Sequence, residues 1–380
     1  MTTPGYLTVT DLAVRLVDRA DAVPAALSEV DAEVVGVDVE RADAHRYYRR
    51  AALIQLGVEG RCVLLDAVTI DAFPEVDAFF GPDRLMVLHA LENDLVPLAG
   101  RAIRPDRVAD TAIAATLLGL PTGLGPLLGE LLDVHLDGDK EAFQRADWEA
   151  RPLDDDMAAY AAGDVVHLPR LWEELAARLE ATGRRSWYEQ ELAATLEQAA
   201  EDTRHWTRVK GAGRLSERER AILRALWEER EAIARSHDLA PNRLLHDDVL
   251  RDLATDPPRT AAQLVRRSQR RRGALRPHAE ALLAAVERGQ QADPEPPDDE
   301  GRRWTDEDRA LHDALRRRRA EVAADVGIDA GVLCPSKPLW AAVAGEPGDG
   351  DELCRLVGLR PWQTALLAGP LWEVYAERAA

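Results

Sequence analysis

Asp38 and Glu40 stand two residues apart at the end of the apolar run Val34-Val35-Gly36-Val37-Asp38-Val39-Glu40. On a β-strand, side chains two apart point to the same face, so these carboxylates would sit side by side. Adjacent carboxylates repel unless a cation lies between them, and hard divalent ions prefer such oxygen ligands. Taken alone, the pair reads better as a solvated strand end. Asp31 and Glu33 share the spacing but precede the strand and are given no function. The next acid is Asp94, in His89-Ala90-Leu91-Glu92-Asn93-Asp94-Leu95, where a strand gives way to a helix. An acid is favoured at a helix N-terminus by the dipole whether or not it has chemistry to do. His89 reads as a structural residue at the strand end. Last come Tyr160 and Asp164, four apart on a helix and therefore on one face. Ala161, Ala162 and Gly163 between them leave the helix surface open to a close approach. In isolation this fits a core tyrosine beside an exposed aspartate just as well.

The elements that must position these side chains alternate as in an α/β domain. Strands are expected at Val34–Val39, Ala52–Leu56, Cys62–Leu65, Leu85–His89 and Val108-Ala109. The turn Val58-Glu59-Gly60-Arg61 should join the second and third as a hairpin. A helix is expected through Asp94 and Leu98 and another from Thr111. Leu153 to Leu179 reads as two helices, interrupted near Gly163 and Pro169. After Arg204 the β signal vanishes. Ser216 with Glu219 is a capping box before an apolar helical stripe, and a second helical block starts at Thr305 with Asp308 in the corresponding place. An offset of 89 residues aligns Arg220 with Arg309, Leu226 with Leu315, Arg230 with Arg319 and Ile233 with Val322. The two blocks therefore read as copies of one domain. Gln290 to Arg303 has linker composition.

The chain has 380 residues, 46% hydrophobic and 31% charged, which suits two or three soluble domains. Its apolar stretches are broken every few residues by Arg, Asp or Glu, so no membrane span is expected. The first residues lack a secretory pattern. Cys62, Cys334 and Cys354 are far apart, which argues against a disulfide framework or a zinc site and for the cytoplasm. A formal charge of −20 disfavours a nucleic-acid partner. The charge is uneven, however. Arg204 to Gly289 holds 19 Lys and Arg against 12 Asp and Glu, a net of +7, leaving −27 elsewhere. The run Arg266-Arg267-Ser268-Gln269-Arg270-Arg271-Arg272 is its densest part; Arg266, Arg267, Arg270, Arg271 and Arg272 are candidate phosphate contacts, or else a solvated run. No GxxxxGK[ST] loop is present, which excludes a P-loop motor.

Taken in order, Asp-x-Glu, Asp and Tyr-x-x-x-Asp resemble the ribonuclease D family, within the tyrosine-bearing subgroup of DEDD exonucleases. Lys140, Gln144, Asp147-Trp148, Arg151-Pro152-Leu153 and Ala52-Leu53-Ile54-Gln55-Leu56 also match family text. The resemblance covers roughly residues 11–200, and the helical copies resemble HRDC domains, the second more divergent and acidic at its end. It implies an α/β, ribonuclease H-like exonuclease domain, with a mixed sheet whose first three strands are antiparallel, followed by two all-α HRDC-like domains. The expected division is 1–203, 204–289, a linker at 290–303, and 304–380.

The resemblance further implies two divalent metal ions, Mg²⁺ or Mn²⁺. Asp38 would bridge both, Glu40 and Asp164 would serve the first, Asp94 the second, and Tyr160 would orient the attacking water. Gly163 departs from a helix-favouring residue beside Asp164, at a propensity cost of about 1 kcal/mol. The expected activity is 3′→5′ exoribonuclease, releasing nucleoside 5′-monophosphates from the 3′ ends of tRNA precursors or other stable RNAs. A monomer in the cytoplasm is expected. The alternatives are a DNA 3′→5′ exonuclease, a catalytically silent RNA-binding protein, and an adaptor using the helical copies alone.

Overall fold

The computed structural model describes residues 6–9, 12–42, 45–136, 143, 146–199, 204–268, 275–296 and 304–379. They form two compact units. One comprises Met1–Glu40, Ala51–Ala200 and Trp304–Ala380; the other comprises Arg41–Arg50 and Glu201–Arg303.

The first unit is built on a seven-stranded mixed sheet in the order β1-β2-β5-β4-β3-β6-β7. The strands are β1 (Tyr6–Val9), β2 (Leu12–Val17), β3 (Val34–Arg41), β4 (Ala51–Val58), β5 (Arg61–Asp66), β6 (Leu85–Leu88) and β7 (Val108–Asp110). β4 and β5 pair antiparallel with Val58 opposite Arg61, so Glu59 and Gly60 alone make the expected hairpin turn. Gly60 takes a φ of +73°, a conformation that costs glycine little. β2 runs parallel to β5, and β6 runs parallel to both β3 and β7. The β1–β2 pair was not expected from the sequence; β1 is only four residues long.

The period of two along β3 decides what faces the core. Val35, Val37 and Val39 join Ile54, Leu56, Val63, Leu65, Met86, Leu88, Phe73, Phe80 and Leu98 in one buried cluster. Burying each such side chain stabilises by about 1.5–3 kcal/mol. Asp38 and Glu40 take the alternate positions and are half-buried.

The helix Asp155–Val166 starts at an N-cap in which the Asp154 carboxylate accepts from the Asp156 amide at 2.9 Å. It runs unbroken through Gly163, where an interruption was expected, because buried Ala161, Ala162, Val165 and Val166 hold that turn against the sheet. The break falls at His167, before the helix Leu168–Ala181, in which Pro169 occupies a first-turn position. No amide partner is needed there.

The two helical blocks are built alike. Ser216 and Glu219 form a reciprocal capping box on the helix Glu217–Ser236, as Thr305 and Asp308 do on Asp306–Val326. Buried Arg230 donates to the Leu245 carbonyl at 3.0 Å, and buried Arg319 donates to the Cys334 carbonyl. Both acceptors obey the same 89-residue offset as the two arginines. Residues 290–296 have linker composition but are held to the first block: Arg220 donates to the Pro296 carbonyl at 3.0 Å, and Arg224 pairs with Glu295 at 3.0 Å. The second block packs within the first unit. The Trp187 and Trp362 rings stack at 4.7 Å, and the Trp362 indole donates to Glu191 at 2.7 Å. Cys62, Cys334 and Cys354 are buried free thiols, and among the described residues no helix is long and apolar enough to cross a membrane.

Candidate active site

Two elements bring three of the expected acids together. Asp38 and Glu40 come from the face of β3 that also carries Gly36, and Asp164 from the helix Asp155–Val166 that packs on that glycine. One ligand oxygen from each lies within 4.8 Å of the other two, and all three residues are half-buried. The approach depends on two glycines, since the helix lies directly on the strand backbones at Gly36 and Gly57. A Cβ at Gly36 would fall 2.1 Å from the Val165 carbonyl oxygen, and one at Gly57 would fall 2.7 Å from the Val165 carbonyl carbon.

Tyr160 lies one turn before Asp164 and hydrogen-bonds to its carboxylate. Its ring stacks on Phe143 at 5.0 Å and approaches Trp148 at 6.3 Å. Burial, then the charges of Asp164, Glu40 and Asp38, push the phenol well above the usual tyrosine range. Tyr160 therefore stays a neutral hydroxyl at physiological pH, able to donate and accept.

Asp94 lies outside the three-oxygen group. It is 4% exposed and stands at the N-cap position of the helix Leu95–Ala99, directly after a 3₁₀ turn at Leu91–Asn93, with no capping hydrogen bond from its side chain. Ala90 enters that turn with a φ of +65°, an uncommon conformation for a residue with a Cβ. Asp110 holds it there: one carboxylate oxygen accepts from the Leu91 amide at 2.7 Å, the other from Ala112 and Ile113 at 2.7 and 3.0 Å. The Asp110 amide in turn donates to the Tyr188 hydroxyl at 2.8 Å. Sequence reading missed Asp110 and Tyr188, although an aspartate before Thr111 is a recognisable N-cap signal. His89 Nδ1 lies 2.8 Å from Thr111 Oγ1.

Asp66 was missed as well. Its buried carboxylate receives Arg151 bidentately, Nε at 2.7 Å and Nη2 at 2.6 Å, while Arg151 also donates to the Ala52, Trp148 and Ala150 carbonyls. The pair ties the segment before the Tyr160 helix to the end of β5. Burial opposes the Asp66 charge, but the Arg151 bonds and the Val68 and Thr69 amides outweigh it, holding the carboxyl below its ordinary range.

A divalent cation fits this donor set. Three carboxylates converge on one small volume, with hard oxygen ligands on two rigid elements. Residues 14–180 match the 3′-5′ exonuclease family and residues 219–286 match the HRDC domain. A ribonuclease D from Jannaschia sp. (strain CCS1) is 30% identical over 332 residues, covering 82% of this chain and 83% of the relative.

The chain belongs to the ribonuclease D family.

It is accordingly a 3′→5′ exoribonuclease, and the family is metal-dependent. The ribonuclease D of Sphingobium indicum is 33% identical over 243 residues, 60% of this chain and 61% of that one. The crystal structure of Escherichia coli RNase D superposes with a TM-score of 0.75 at 24% identity, over 96% of this chain and 99% of that chain, which shows the shared fold. Of the ribonuclease D-like text before the third motif, Lys140 and Gln144 lie outside the described residues, whereas Trp148 and Arg151 are the groups that pack on Tyr160 and bind Asp66. Of the arginine run, Arg266 is exposed and Arg267 pairs with Asp256. Arg270, Arg271 and Arg272 lie outside the described residues.

Proposed function

We propose that the chain removes nucleoside 5′-monophosphates hydrolytically from RNA 3′ ends, using Asp38, Glu40, Asp94 and Asp164 to hold two divalent cations, Mg²⁺ or Mn²⁺. The observation that carries this reading is the convergence of the Asp38, Glu40 and Asp164 oxygens within 4.8 Å. When bound, such ions supply an activated water and stabilise charge on the leaving 3′ oxygen.

The protein's own residues do the positioning. β3 and the helix Asp155–Val166 fix the three carboxylates as a preformed anionic pocket. Tyr160, kept protonated and braced by Phe143 and Trp148, orients the water with its hydroxyl. Asp94 would supply the fourth carboxylate from the turn after β6, the strand paired with β3, a turn that Asp110 holds through the Leu91 amide. No histidine is needed as base.

The substrates in this reading are tRNA precursors or other structured RNAs, handled by a cytoplasmic monomer. The Escherichia coli relative is described as an exoribonuclease involved in structured RNA processing. Residues 1–203 would form the exonuclease domain, 204–289 and 304–380 two HRDC-like domains, and 290–303 their connection. Arg266, Arg267, Arg270, Arg271 and Arg272 would bind phosphates behind the 3′ end through counterion release.

The test is product analysis on matched RNA and DNA oligonucleotides. Release of 5′-monophosphates from RNA supports the reading. Equal or faster release from DNA favours a DNA exonuclease, since sugar choice rests on 2′-hydroxyl contacts. Binding of RNA with neither polymer cut would leave a silent RNA-binding protein.

A further inference from the structure

The segment Arg41–Arg50 leaves the sheet one residue after Glu40 and belongs to the second compact unit. Its sequence, Arg-Ala-Asp-Ala-His-Arg-Tyr-Tyr-Arg-Arg, carries four arginines against one acid in a chain whose net charge is −20. The loop closes on itself through the Ala42 amide, which donates to the Arg50 carbonyl at 2.8 Å.

It is also gripped from outside. The amides of Tyr47 and Tyr48 donate to the same Asp238 oxygen at 3.2 and 3.1 Å, and the Ala240 amide donates to the His45 carbonyl at 3.0 Å. Asp238 also pairs with Arg50 at 2.8 Å and Arg46 at 3.6 Å. Tyr47 is buried beneath the Arg204 guanidinium, 3.9 Å from its ring centre, and its hydroxyl accepts from Arg235 at 3.2 Å. Tyr48 has the opposite fate. Its ring meets Tyr47 edge-on at 5.2 Å and stands 48% exposed, next to exposed Arg49 and Arg50.

A large exposed aromatic ring, with its backbone amide pinned and two exposed arginines directly after it, is what stacking on a nucleobase requires. Every base offers a π-face, and the flanking cations hold the phosphates. Tyr47 is the anchor that fixes the loop, and Tyr48 is the face that it presents.

We propose that Tyr48, with Arg49 and Arg50, forms a single-stranded RNA contact in which a base stacks on the Tyr48 ring and the arginines bind adjacent phosphates. This rests on the exoribonuclease reading for its ligand but not for its test. The experiment is equilibrium binding of a 5′-fluorescent, unstructured RNA oligonucleotide to the full chain in EDTA, by anisotropy over a range of salt concentrations. Tyr48→Ala should weaken binding about tenfold, while Tyr48→Phe, which keeps the ring, stays within about twofold of wild type. Arg49→Gln should lower the salt slope by about 0.7, the value for one phosphate contact on a single strand.

Wild-type affinity in Tyr48→Ala together with an unchanged slope in Arg49→Gln would overturn the proposal, and would mark the loop as a surface for another kind of partner. Failure of the wild type to bind the oligonucleotide would overturn it too. The exonuclease reading fails separately: tyrosine-dependent binding by a protein that cuts no RNA would sustain this contact and sink that activity.

Discussion

A Cβ on Gly36 would lie 2.1 Å from the carbonyl oxygen of Val165, a distance that no real side chain could tolerate. Gly36 is two residues before Asp38 and Val165 directly follows Asp164. The spacing between the first and third acidic motifs is therefore set by bare backbone. Gly36→Ala should push the helix off β3, with about 1–3 kcal/mol lost from overpacking and a larger loss of activity than of fold. Thermal unfolding alongside nuclease assays checks this; full activity in a stably folded Gly36→Ala would contradict it.

Tyr160→Phe isolates the hydroxyl, because the ring contacts with Phe143 and Trp148 survive. The rate at saturating RNA should fall about 100-fold, the lower range for a group that positions a proton in the transition state. Unfolding midpoints should barely move. A fall in stability with no fall in rate would make Tyr160 a packing residue.

Arg151→Ala leaves the buried Asp66 carboxylate without its guanidinium, at a cost of about 3–5 kcal/mol. Acid acts on the same pair. The Asp66 carboxyl is held below its ordinary value in the folded state, so its contribution is complete above the unfolded pKa of about 4 and is lost as pH falls through the lower folded value. Denaturant titrations should show the gap between wild type and Asp66→Asn closing below about pH 4, and constant above it.

Gly163→Ala should stabilise. The added Cβ meets the Leu136 side chain at an ordinary 3.6 Å, and the helix interior favours alanine by about 1 kcal/mol. Denaturant midpoints should rise with nuclease activity retained; a fall in stability would show that the glycine relieves a clash.

Legibility in the sequence followed the range of each interaction. Asp38 and Glu40 could be placed because strand periodicity is local, as could Tyr160 with Asp164 on one helix face. The capping boxes at Ser216 and Thr305 are local too, and both formed. The supporting contacts were not legible in the same way. Asp66 and Arg151 are 85 residues apart, and Asp110 and Tyr188 are 78 apart, so nothing in the neighbourhood of either member announces the other. Gly163 misled because propensity alone breaks a helix there, whereas burial of its neighbours holds it. Asp238 and the Arg41–Arg50 segment are some 190 residues apart, so only the folded chain shows that Asp238 binds it.

Metal-dependent trimming from the 3′ end should depend on the Asp38 cluster. It is tested most directly with 5′-labelled RNA incubated with Mg²⁺ or Mn²⁺, comparing wild type with Asp38→Asn. A ladder shortening stepwise from the 3′ end is expected, absent without metal and absent in the folded variant. A ladder that persists in Asp38→Asn, or RNA left at full length by the wild type under both metals, would contradict it.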